Sequence, residues 1–349
     1  MSTIVETSNS RRREDARPRP QPLQQDAQAI RRILVCIDHS PFSEACLRYA
    51  MTIARSLGAA ITLLNVMQPP RERSGVQTTD VLDWEISRQE ASAYLERLEE
   101  QGTRESGRKV ESRLEQGHPG ERITAVAREI HADLTILGSQ GQHGAAPWNL
   151  GSTVQQVLAA AHGSVLVARS GSPGLDVAVK RILVPLDGSL RAESVLPTVV
   201  RIAAANGAEV LLVFVVREPV ATAVLATPDD LLAARDLATR LEAGGKRYLE
   251  GLRDQLAREG ASVRTQVLRG ADEKQSLLEV SQREQSDLIV VSAHGSTCNS
   301  TLTWGSVTAH LLAHSVVPLL VLQDLPDAAL RGEGAASAPP LRGIHPEGG

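Results

Sequence analysis

Arg31-Arg-Ile-Leu-Val-Cys-Ile-Asp38 and Lys180-Arg-Ile-Leu-Val-Pro-Leu-Asp187 stand 149 residues apart in this chain. Each is an unbroken apolar run that ends in an acid. A run without polar alternation reads as a strand buried on both faces, which is the habit of a parallel sheet covered by helices. In the first copy Ser40-Pro41 opens a helix through Arg55. Pro41 stands where a missing N–H costs nothing. Ala45, Tyr49, Ile53 and Leu57 keep helical spacing, and Gly58 ends the pattern.

Outward from these runs the same units recur in order. Ile61 to Met67 is a second strand, matched by Glu209 to Val216. Val81 to Ser106 is a long charged amphipathic helix. Val110 to Leu114, closed by Gly117, is matched by Val263 to Leu268, closed by Gly270. Gly120 to Ile130 reads as a helix, and Leu134 to Leu137 as a fourth strand matched by Asp287 to Val291. Ser164 to Ala168 is a fifth, matched by Val317 to Leu322. Strands alternating with helices imply right-handed crossovers. The displacement grows to 154 at Gly151 and Gly305, so the second copy carries a small insertion in its middle. The expected fold class is α/β: two tandem doubly wound domains, each a five-stranded parallel sheet of order 3-2-1-4-5 flanked by helices. The expected boundaries are a disordered arm over 1–30, a domain over 31–170, a linker over 171–178, a second domain over 179–324 and a disordered tail over 325–349.

Composition narrows the function classes. Hydrophobic residues make up 42% of the 349 residues and aromatics only 2%, so the core is aliphatic. A net charge of −4 gives no global case for nucleic acid or an anionic membrane. The exception is the basic cluster Arg11, Arg12, Arg13, Arg17 and Arg19. Cys36, Cys46 and Cys298 are too scattered for a disulfide framework, which points to a reducing compartment. With no signal-like or membrane-spanning run, the expected location is the cytoplasm.

The chemistry gathers at the loop Gly138-Ser-Gln-Gly141, followed by Gly151-Ser152 at a helix start, and at its echo Ser292-Ala-His-Gly295 with Gly305-Ser306. Glycines let backbone approach an anion, and free amides at a helix start point at it. In a 3-2-1-4-5 sheet, strands one and four are neighbours whose helices leave to opposite faces, the switch point where such sheets bind ligands. Asp38 and the Gly138 loop then face one crevice. The carboxylate can accept from ribose hydroxyls while the loop holds phosphate, and the backbone of Val66 can read an adenine edge. Asp187, Val215 and Gly295 repeat this in the second copy. Each element also has a plainer reading. Gly-rich turns occur without ligands, and Asp38, Ser40, Ser152 or Ser306 can serve as helix caps.

Other signatures are missing. There is no Walker-type loop, no Gly-x-Gly-x-x-Gly after strand one, and no zinc spacing. His143, His162, His294, His310 and His314 fall near the loops without a Ser or Cys partner for triad chemistry, and read as surface or packing residues. Trp148 and Trp304 read as pins that hold the loops to the body.

Taken together, these residues resemble the universal stress protein family, duplicated in tandem. Its Gly-x2-Gly-x9-Gly-Ser/Thr mark stands as Gly138, Gly141, Gly151 and Ser152, and its opening strand as Asp38-His-Ser40 and Asp187-Gly-Ser189. The resemblance implies ATP or another adenine nucleotide, with or without Mg2+, in each crevice. It also implies pairing of the two domains through their last strands, internal in a tandem chain. By position the contacts would be Asp38, Val66, Gly138, Gly141, Gly151 and Ser152, and Pro185, Asp187, Val215, Gly295, Gly305 and Ser306. The second copy departs at Ser292 in place of the first glycine, and the first copy has Cys36 where the second has Pro185.

The expected function is an adenine nucleotide-binding stress-response regulator with no catalytic or metal-ligating residue assigned. A slow ATP hydrolase is the enzymatic alternative. Neither loop contains a Lys, Arg or acid, which argues against fast hydrolysis. A module without nucleotide, docking a protein through the 81–106 helix, is the third. A further homodimer is left open.

Overall fold

The computed structural model describes residues 29–68, 81–139, 150–161, 163–169, 179–217, 227–296 and 303–323. The N-terminal arm, the linker, the C-terminal tail, Gly141, His143, Trp148, His162 and Cys298 lie outside the described residues.

The first copy runs β1 (Arg32–Cys36), α1 (Pro41–Leu57), β2 (Ala60–Met67), α2 (Val81–Ser106), β3 (Val110–Gln116), α3 (Pro119–Glu129), β4 (Leu134–Gly138), α4 (Ser152–Ala160) and β5 (Ser164–Ala168). The second runs β6 (Arg181–Pro185), α5 (Leu190–Glu193), α6 (Leu196–Asn206), β7 (Glu209–Arg217), α7 (Pro228–Arg258), β8 (Ser262–Gly270), α8 (Glu273–Arg283), β9 (Leu288–Ser292), α9 (Ser306–His314) and β10 (Leu319–Leu322). Each copy is parallel with the order 3-2-1-4-5. The two join edge to edge in one ten-stranded sheet, β3-β2-β1-β4-β5-β10-β9-β6-β7-β8. The seam is the antiparallel pair β5–β10, with Leu320 opposite Leu166. The internal pairing expected of a tandem chain is therefore present.

The apolar runs explain the layers. Side chains alternate across a strand, so Ile33 and Val35 enter one core while Leu34 enters the other. Both cores extend through the two copies: Leu166, Val184 and Leu320 share the first, and Val165, Leu183 and Val321 the second. The copies also meet above the sheet, where α1 packs on α6. Arg201 Nη2 donates to the Leu57 carbonyl at 3.0 Å, and Asn206 Nδ2 to Ser56 Oγ at 3.2 Å.

Local sequence sets the details. Gly58 and Gly207 close α1 and α6 in the left-handed conformation at φ 78° and 59°. Asp133 accepts the amides of Arg31 and Arg32, and Asp287 those of Lys180 and Arg181, so in both copies β4 or β9 is tied to the start of the first strand. The helix that is continuous as α1 is broken into α5 and α6. Pro197 explains this: at the displacement of 149 it occupies the place of Arg48, in mid-helix, where it has no N–H to give and its ring crowds the preceding turn. The insertion falls largely between β7 and β8, where α7 has 31 residues against 26 in α2.

Candidate functional site

The second crevice is described most fully. It opens at the carboxyl ends of β6 and β9, the neighbouring strands whose helices leave to opposite faces. Its volume is about 280 Å³, and its lining includes Pro185, Asp187, Gly295, Gly305 and Ser306. Five of the six residues expected there therefore meet in one space. Val215, the sixth, is half-buried on β7 and is not part of the lining.

Asp187 is the hub. Its Oδ1 accepts from the Ser189 amide at 3.0 Å and the Ser189 hydroxyl at 2.6 Å. Its Oδ2 accepts from the Ser296 amide at 2.6 Å, across 109 residues of sequence. Burial pushes this carboxyl up, but the hydrogen bonds from Ser189 and Ser296 outweigh it and hold the group below the usual carboxylate range. Ser189 is also the N-cap of α5, accepting from the Ala192 amide at 3.1 Å. One hydroxyl thus both caps α5 and holds Asp187.

The loop glycines are held by space rather than by φ. A Cβ on Gly295 would stand 2.5 Å from Asp187 Oδ2, and one on Gly305 would stand 3.3 Å from the Ala293 carbonyl oxygen. Neither Gly138 nor Ser292 has positive φ, so a serine at the first position of the loop costs the backbone nothing. Ser292 Oγ instead donates to the His294 carbonyl at 2.6 Å.

The N-caps of α4 and α9 are Gly151 and Gly305, and neither helix start has a side-chain cap bond. Ser152 and Ser306 are the first helical residues, so the capping reading of these serines does not hold. Ser306 is exposed and lines the crevice. The first-turn amides of an α-helix have no partner within it, and at α9 they open into this space.

The first crevice shares the frame. Gly138 ends β4, the Gly151 amide donates to the Ser139 carbonyl at 2.9 Å, and Val66 lies on β2 beyond its last pairing with β1 at Leu64. Asp38 is exposed at the end of β1, and among the described residues its Oδ1 accepts from Ser43 Oγ at 2.7 Å and from the Ser40 amide at 3.1 Å. His39 has φ 64°, where the second copy has Gly188 at φ 82°. Its ring packs against Tyr94 with centroids 4.2 Å apart and planes tilted by 34°, and Arg97 lies over the Tyr94 ring. The Cys36 thiol is pushed up to about 12, first by burial and then by Asp38, which makes it a poor nucleophile.

Sequence reading missed Arg217, Glu273 and Thr308 and took His294 for a surface or packing residue; all four are in the lining. Arg217 ends β7 and Glu273 opens α8, so the strand-end rule that singled out Asp187 also reaches them. Burial raises the Glu273 carboxyl and nearby Arg217 lowers it, with a net shift upward. Trp304 is a pin, but across the seam: its Nε1 donates to the Leu158 carbonyl of α4 at 3.0 Å. His310 and His314 stack at 4.2 Å along α9, whose other end faces the crevice.

Comparison with known proteins agrees with this frame. A model of the universal stress protein family matches residues 29–169 and 178–323. A curated Staphylococcus aureus (strain USA300) protein named for that family is 31% identical over 139 residues, 40% of this chain and 83% of its own. The crystal structure of a universal stress protein from Archaeoglobus fulgidus covers 86% of this chain and 98% of its own at 20% identity, with a TM-score of 0.60. A functionally unknown Pseudomonas aeruginosa PAO1 protein gives the same TM-score over 87% of this chain and 96% of its own, also at 20% identity. These two likenesses speak to the fold.

Proposed function

The chain belongs to the universal stress protein family, and from that premise we propose that it binds an adenine nucleotide in each crevice and acts as a ligand-controlled regulator. One observation carries the reading: the Asp187 carboxylate at the end of β6 takes the Ser296 amide from the loop after β9. A helix cap alone has no reason to reach a loop on another strand. The same oxygens can accept ribose hydroxyls. The open first turn of α9 and the close-packed Gly295 and Gly305 suit a phosphate.

The first crevice binds through Asp38, Val66, Gly138, Gly141, Gly151 and Ser152. The second binds through Pro185, Asp187, Gly295, Gly305 and Ser306, with Val215 supporting from β7. Ligand hydroxyls compete with the Ser296 amide for Asp187. Occupancy therefore acts on the loop, and a ligand that favours one loop position shifts that equilibrium. ATP turnover, if present, is slow.

The test is direct. Full-length protein purified from cells is denatured and the released small molecules are identified. Adenine nucleotide at about two per chain supports both sites. No nucleotide released, and no binding of added ATP, sinks the reading.

A further inference from the structure

The second crevice has charged groups that the shared frame does not use. Arg217 stands at the end of β7 and Glu273 is the first residue of α8, and both line the space. Neither side chain takes part in a salt bridge or hydrogen bond among the described residues. The Arg217 and Lys274 charges offset only part of the desolvation of the half-buried Glu273 carboxylate, and a ligand that donates to it would offset more.

Their place in the sheet says which end of a ligand they meet. The anion end of the crevice is at β9 and the start of α9. The strand order β9-β6-β7-β8 sets Arg217 two strands away, about 10 Å, and Glu273 follows the strand beyond it. A nucleotide with phosphate at α9 turns its base toward this pair. Arg217 offers donors and ionised Glu273 an acceptor. Adenine presents a ring N7 acceptor beside an amino N6 donor on one edge, whereas a 6-oxopurine presents two acceptors there. The oxygen of the latter would face the carboxylate.

The first crevice differs at both places. Gln68 occupies the position of Arg217, and Pro119, first residue of α3, that of Glu273. A neutral amide can turn to suit either base, and proline offers no side-chain group.

Resting on the nucleotide reading above, we infer that Arg217 and Glu273 read the base in the second crevice. They select adenine over 6-oxopurines there, a selection the first crevice does not make.

Calorimetric titration of the full chain with ATP and inosine triphosphate tests this. The second site is identified as the one lost in Gly295→Val. It binds ATP about tenfold or more tighter than inosine triphosphate, the worth of a hydrogen bond to a charged group. In Glu273→Gln the preference collapses to within about threefold, because the amide can donate to the 6-oxygen. Glu273→Pro, the first-copy residue and tolerated at a helix start, also loses it. Arg217→Gln weakens adenosine and ATP alike. Equal wild-type affinities, or a preference that survives Glu273→Gln, overturn the inference while leaving nucleotide binding intact. A loss in Arg217→Gln confined to ATP assigns Arg217 to phosphate and also overturns it. If neither nucleotide binds, the underlying reading fails with it.

Discussion

The two copies have the same strands in the same order, and among the described residues their acids have different partners; Gln142, which matches Ser296, lies outside them. Asp38 is bonded to Ser40 and Ser43 at the start of its own helix. Asp187 is bonded to Ser189 nearby and to Ser296 in the distant loop. A single substitution accounts for part of this: where the first copy has Ser43, the second has Ala192, which has no hydroxyl to offer. Tyr94 and Tyr248 hold matching places on α2 and α7, but Tyr94 packs against His39 while Tyr248 donates to Glu193 at 2.9 Å. The frame is common, and the described polar partners around the two acids and the two tyrosines differ.

The largest expected effect tests whether the copies are separate bodies at all. Leu320 is fully buried at the seam, opposite Leu166, in a core that both copies share. Leu320→Ala should cost about 2–5 kcal/mol. Hydrogen exchange should show amides of β1 and β6 losing protection together. Loss confined to the second copy would mean that each half folds by itself and the seam is a weak contact.

Next in size is a change that should separate the crevices. Gly295→Val drives a side chain into Asp187, breaks its bond to Ser296 and fills the crevice. Nucleotide affinity at that site should fall by about 100-fold, the value of a charged hydrogen bond plus lost space. Bound nucleotide should drop from two per chain to one. If both sites are lost, the crevices communicate, and Trp304, which joins the second loop region to α4, is the first place to look.

Much of this was readable in the sequence because the signals were local. Ile33 to Ile37 and its repeat have the composition of strands buried on both faces, and an acid after such a run falls at a strand end whatever the tertiary details. Order within the sheet followed from connection rules, and the strand ends then met at a switch point. What escaped depended on distant pairs. No pattern links Asp187 to Ser296, or His39 to Tyr94, because side-chain contact across the crevice has no sequence period. The break at Pro197 was available, since proline in mid-helix announces itself. Arg169 was not: a basic residue after a strand reads as exposed, yet it is 3% exposed and donates to the Leu312 carbonyl across the seam.

A smaller effect distinguishes the copies by pH. The Asp187 carboxyl is held low in the folded state, so its stabilising contribution is complete above the unfolded carboxylate range, about pH 4. It is lost as pH falls through the depressed folded value. Partial exposure of the group screens its interactions and keeps the effect modest. Asp187→Asn should therefore flatten the acid limb of stability against pH, measured by urea unfolding between about pH 2 and 5. An unchanged acid limb in this variant would show that the bonds to Ser189 and Ser296 do not stabilise the charged form.

The smallest effect concerns His39 and Gly188, which share a left-handed backbone at matched positions. A side chain in that region costs about 1–2 kcal/mol. At Gly188 nothing lies within 4 Å of an added Cβ, so Gly188→Ala should show that backbone cost less the roughly 0.4–1 kcal/mol gained by restricting the unfolded chain. His39→Gly relieves the same strain but removes a ring packed against Tyr94, worth about 0.5–1.5 kcal/mol. It also adds freedom to the unfolded chain, which takes back up to about 1 kcal/mol more. The sum should lie near zero, and chemical denaturation of the two variants side by side reads it. A clear gain of stability in His39→Gly would mean that the ring contact does not offset the strain. The histidine would then be held beside Asp38 against stability, as strained residues at functional sites are.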